Sequence, residues 1–87
     1  MLKTMRDEVK FCYEQGLQSR PDLEGRVVAR FLIGPTGSVA NASVQSSDIG
    51  DGRVEACITN AVRRWTFPQP EGGGIVRVSY PFLLRQR

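Results

Sequence analysis

The chain contains no histidine. Histidine is the most frequent metal ligand and the side chain best suited to moving protons near neutral pH. Its absence removes most catalytic triads and most zinc sites together. Only two cysteines occur, Cys12 and Cys57, too far apart for a C-x-x-C motif. No run of about twenty apolar residues is present, as a membrane-spanning helix requires. The opening MLKTMRDEVK mixes acidic with basic charges and has no apolar core of the signal-peptide kind. Dense basic runs are also missing. Twelve Lys and Arg against nine Asp and Glu leave a net charge of +3, which favours solubility over a nucleic-acid tail.

What remains is an 87-residue chain of ordinary apolar content with both charge signs interspersed. A chain this short buries a modest fraction of its surface and often needs a covalent or metal staple. From Thr4 to about Gln18, Leu2, Met5, Val9, Cys12 and Gly16 follow three-four spacing, and Tyr13 and Leu17 widen the stripe. That pattern predicts an amphipathic helix, with Thr4 and Asp7 as a weak capping box. It must stop before Arg20-Pro21, because the residue preceding a proline disfavours the helical region.

Gly25 to Ile33 alternates as a strand, with Val27, Ala29, Phe31 and Ile33 on one face and Arg26, Val28, Arg30 and Leu32 on the other. Gly34-Pro35-Thr36-Gly37 predicts a turn, and Val39 to Ser46 a polar returning strand with a bulge near Asn41. Val54, Cys57, Ile58, Ala61, Val62 and Trp65 form the stripe of a second helix, closed by Pro68 and Pro70. After Gly72-Gly73-Gly74, residues Ile75 to Phe82 form a third strand. Val76, Val78, Tyr80 and Phe82 share one face; Ile75, Arg77 and Ser79 share the other.

The expected class is α+β, a single domain over residues 1–87 in the order helix-strand-strand-helix-strand. Both helices pack on one face of a three-stranded antiparallel sheet. The apolar first strand belongs in the middle, giving the order 2-1-3. The second and third strands are then edges, with unpaired backbone groups that another chain can complete.

Three segments carry a family resemblance: GRVVARFLIGPTGSVANASVQSS, VEACITNAVRRWTFPQP and IVRVSYPF. In that order they resemble the C-terminal domain of TonB-family proteins. Cys12-Tyr13-Glu14, Cys57 and the Gly72–Gly74 run before Tyr80-Pro81-Phe82 look closest to the AgmX/PglI-type domains of myxobacterial gliding-motility and related envelope proteins. The resemblance implies a non-enzymatic, cofactor-free protein-binding module. It implies a periplasmic domain excised from a longer protein anchored in the inner membrane. Such a domain transduces energy or force from an inner-membrane machine to an envelope partner. An extended segment of an outer-membrane or periplasmic protein would add to the edge formed by Ile75, Val76, Arg77, Val78, Ser79 and Tyr80. A homodimer pairing through the same strand is the alternative. The resemblance also implies a Cys12–Cys57 disulfide, as an oxidising periplasm allows; otherwise the two are small buried hydrophobes that never touch.

Other residues admit two readings. Trp65 and Phe67 either plug the core where the chain reverses or offer the indole to a partner. Arg26, Arg30 and Arg77 either steer an acidic segment or peptidoglycan or solvate an uncovered face. The edge of the third strand either binds a partner, or is simply exposed or covered by the tail from Leu83 to Arg87. An enzyme reading without histidine needs paired carboxylates or an activated thiol; Asp48 and Asp51 sit on a polar loop, where solvated loop chemistry accounts for them.

Overall fold

A computed structural model describes residues 2–85, with the side chains of residues 2–4 left aside. Its elements are α1 (Leu2–Ser19), β1 (Gly25–Ile33), β2 (Val39–Ser47), α2 (Gly52–Arg63) and β3 (Val76–Leu84). The three strands form one antiparallel sheet in the order β2-β1-β3, as expected. α1 begins at Leu2, so Thr4 lies within its first turn, not at a cap. It ends at Ser19, before Arg20-Pro21.

β1 is the middle strand because it alone is apolar on both sides. Val27, Ala29, Phe31 and Ile33 are buried beneath the helices with Ile58, Val62 and Trp65. On the far side Val28 is buried as well, between Ser46 and Pro81 on the flanking strands. β2 carries an irregularity between Asn41 and Val39, where the polar pattern places a bulge. A second falls between Ser46 and Val44. β3, in contrast, pairs with β1 residue for residue from Val76 to Leu84. It runs two residues past the expected end, so Leu83 and Leu84 extend the strand and do not fold back over its edge. Arg85 follows the strand and is exposed; Gln86 and Arg87, the last of the expected cover, lie outside the described residues.

α2 starts on a cap that the loop reading undervalues. The Asp51 carboxylate accepts the N–H groups of Arg53 at 3.0 Å and Val54 at 3.2 Å, satisfying two otherwise unpaired helical donors. Asp48 is equally structural, since its Oδ1 accepts the Arg26 N–H at 2.7 Å. The helix ends at Arg63. A last tight turn, with the Trp65 N–H donating to the Val62 carbonyl at 3.1 Å, swings the indole into the core.

Thr66 then bridges to Ser38, and the Phe67 N–H donates to the Gly37 carbonyl at 2.8 Å. Gly37 sits at φ +90° directly under the Phe67 carbonyl, where a Cβ would collide with backbone. Only glycine fits there. The Trp-x-Phe-Pro ending thus locks the helix exit onto the β1–β2 turn.

α2 lies across β2 and β1, while α1 leans mainly on α2. Two contacts hold α1 in place. Gly16 admits the Val54 and Leu23 side chains where a Cβ would clash. One turn away, Cys12 and Cys57 are joined by a disulfide with Cα atoms 5.6 Å apart.

Candidate functional site: an open sheet edge

The direction of each backbone group on β3 follows from two bonds on the other side of the sheet. The Arg26 carbonyl accepts the Asp48 N–H at 3.1 Å, and the Gly34 N–H donates to the Ser38 carbonyl at 2.8 Å. Even-numbered residues of β1 therefore point their backbone groups at β2. Alternation turns Val27, Ala29 and Phe31 toward β3, where they face Phe82, Tyr80 and Val78. These even-numbered residues of β3 bond inward. Arg77, Ser79, Pro81 and Leu83 direct their backbone groups outward.

Among the described residues no strand pairs with that outer edge. Arg77 and Ser79 offer it N–H donors and carbonyls. Pro81 offers only a carbonyl, because proline has no N–H. Its missing donor is one that would have faced outward, so the pairing with β1 loses nothing. The usable stretch therefore ends before Pro81, at Tyr80. Of the six residues expected to bind a partner, Val76, Arg77, Val78, Ser79 and Tyr80 lie on the strand. Ile75 sits just ahead of it. The outer edge of β2 is less suited to pairing. β2 is interrupted twice, and Ser38, the residue just before it, is bridged to Thr66.

The side chains flanking the open edge differ on the two faces. On the helix side, an apolar groove runs between α1 and β3, with Met5, Val9 and Leu17 on one wall and Val78, Tyr80 and Phe82 on the other. Trp65 forms part of its floor. Rings connect the edge to the core: Tyr80 to Phe82 at 5.0 Å, Phe82 to Trp65 at 6.3 Å, Trp65 to Phe67 at 6.4 Å and Phe67 to Phe31 at 5.7 Å. Large apolar side chains are exposed along this edge, Val76 at 41% and Tyr80 at 54% on the helix side and Ile75 at 64% and Leu83 at 61% on the other. Isolated exposed apolar residues are ordinary on any protein; here four gather along one unpaired edge.

On the other face, register places Arg30 opposite Ser79, Arg77 opposite Leu32 and Arg26 opposite Leu83. All three arginines are exposed. None of the three strands contains an acidic residue. Arg26 sits at the end of the sheet near Glu24 and Asp48, whereas Arg30 and Arg77 stand toward its middle. The Ser79 hydroxyl and the Gln45 Oε1 meet at 2.8 Å across β1, a contact that nothing in the strand pattern signals.

Trp65 belongs to the fold. It is buried, and its Nε1 donates to Glu8 Oε2 at 2.6 Å, which pins α1 over the floor of the groove. Tyr13 donates its hydroxyl to the Leu23 carbonyl. Burial first, and the nearby Glu24 carboxylate second, push its phenol above the ordinary value of 10.0. Arg63, in the last turn of α2, also donates to the Ala42 carbonyl on β2 at 3.2 Å. Among the described residues, no three His, Cys, Asp or Glu side chains gather as a metal site, and no helix is long and apolar enough to cross a membrane.

A two-helix, three-stranded domain with an unpaired, apolar-flanked terminal strand defines a class of protein-interaction module. The chain belongs to the family of Gram-negative bacterial TonB protein C-terminal domains, whose model matches residues 18–84. Domains of this family are non-enzymatic, bind other proteins and reside in the periplasm. Two solution structures of the Helicobacter pylori TonB C-terminal domain share the fold. One is 23% identical with a TM-score of 0.56, covering 97% of this chain and 84% of its own. The other is 21% identical with a TM-score of 0.57, covering 93% and 92%. No curated protein matches the chain.

Proposed function

We propose that this chain is the C-terminal domain of a longer protein tethered to the inner membrane, and that it couples an inner-membrane machine to an envelope partner. The partner's extended segment adds as a strand to the outer edge of β3, over residues 75–80. The observation that carries this reading is the outward phase of Arg77 and Ser79 on a regular, unpaired strand flanked by exposed Ile75, Val76 and Tyr80. An added strand gains several backbone hydrogen bonds side by side. A pull along it is shared among them, which suits transmission of force. A gliding-motility setting rests on the AgmX/PglI resemblance of Cys12-Tyr13-Glu14, Cys57 and the Gly72–Gly74 run.

The test is photo-crosslinking in the cell from a probe at Arg77 of the full-length protein, with a second probe at Asn60 on the exposed side of α2. The reading predicts capture of an extended segment of an envelope protein from Arg77 and not from Asn60. Capture of a second copy alone would replace it with a homodimer pairing through β3. Equal capture from both positions would remove β3 as the site.

A further inference from the structure

The two faces beside the open edge ask for different side chains, and the chemistry of the added segment follows. This step rests on strand addition at β3. Successive residues of any strand point to opposite faces. One set of the incoming side chains therefore projects over the apolar groove between α1 and β3, beside Val78, Tyr80 and Phe82. The other set continues the open face next to Arg77, with Arg30 one strand behind.

The open face is electrically one-sided. Its strands carry arginines and no acidic residue, and the carboxylates near the sheet, Glu24 and Asp48, lie at the Arg26 end. A second copy of this chain fits poorly. Antiparallel pairing of β3 with itself about a two-fold axis keeps like faces together, so two Arg30 and two Arg77 would share one surface. Like charges at such spacing repel. A partner with negative side chains on that face resolves the imbalance.

We infer that β3 selects an extended protein segment in which aliphatic residues alternate with Asp or Glu. The aliphatic residues enter the groove and the carboxylates face Arg77 and Arg30. Arg30 and Arg77 are then specificity-determining residues through their side chains, which line the open face and not the groove.

Short capped peptides test this directly against the isotope-labelled chain at low salt: alternating Glu-Val, alternating Lys-Val, and a Glu/Val peptide of the same composition in blocks. The alternating Glu-Val peptide is expected to shift the Arg77 and Ser79 amides and to bind about three- to tenfold more tightly than Lys-Val, the scale of two exposed ion pairs. Added salt should shrink that ratio. The double variant Arg30→Glu, Arg77→Glu should reverse the order, and Arg30→Gln, Arg77→Gln should level it. Lys-Val binding equally well at the same amides overturns the charge preference and leaves strand addition standing. Equal binding by the block peptide overturns the alternation. Edge amides that respond to no peptide overturn both, and edge amides that shift with protein concentration alone assign the edge to a second copy.

Discussion

Trp65 is fixed by contacts of two kinds. Its rings lie in the line from Phe31 through Phe67 to Phe82 and Tyr80, while its Nε1 donates to Glu8. A hydrogen bond to a charged acceptor contributes about 1.5–3 kcal/mol, and losing it leaves the indole N–H half-sheltered. Glu8→Ala is expected to lower the unfolding free energy by about 1–3 kcal/mol in urea denaturation, with Glu8→Gln recovering part of the loss. Tyr13 makes stability depend on alkaline pH. Burial favours its neutral phenol, so its folded pKa lies above the unfolded 10.0. The stabilisation is fully present below that value and is lost as pH rises through the folded pKa. Tyr13→Phe should flatten this part of the alkaline decline in a series of urea melts. Neither partnership is visible in residue spacing: Glu8 and Trp65 stand 57 positions apart, and both belong to patterns that mark only which side faces the core.

At the scale of elements, α1 is the least secured to the sheet, since its packing is directed at α2. The Cys12–Cys57 bond closes a loop with a sequence separation of 45. Restricting the unfolded chain in this way contributes about 4 kcal/mol in the entropy model. Reduction, or Cys12→Ser with Cys57→Ser, should lower stability by about that amount, measured by denaturant unfolding with and without a dithiol. Native-state amide exchange should then show α1 opening before the strands. At the start of α2, Asp51→Ala removes a cap that accepts two N–H groups and should cost about 1 kcal/mol. β1 and β3 were legible in the chain because each alternates, and β2 because a polar segment returns from the Gly34–Gly37 turn; the central place of β1 followed from Val28 and Leu32 adding apolar character to its second face. The second bulge in β2 was not legible, because its polar residues give no register signal. The groove was hidden as well. A helical stripe such as Met5, Val9, Cys12 and Gly16 shows which side is inward but not over which strand the helix lies. Here the disulfide and the Gly16 contact draw α1 toward α2 and leave the β3 side uncovered.

For the whole molecule, the sheet has one protected side and one available side. The β2 side is bulged, bridged by Thr66 and covered by α2; the β3 side is regular, unpaired and flanked by a groove and by arginines. Legibility of the candidate site ended at the strand's identity. The phase of its hydrogen bonds depends on the register with β1, and only that register shows that the donor Pro81 lacks would have faced outward. The central claim is that the outward amides of Arg77 and Ser79 are free until a partner strand covers them. Residue-resolved amide hydrogen exchange tests it most directly, in the free chain and with the segment captured by the Arg77 probe. The free chain should exchange quickly at Arg77 and Ser79 and slowly at Val78 and Tyr80, and the segment should slow the first pair. Protection of Arg77 and Ser79 in the free monomer, or no change on adding the segment, would contradict the account.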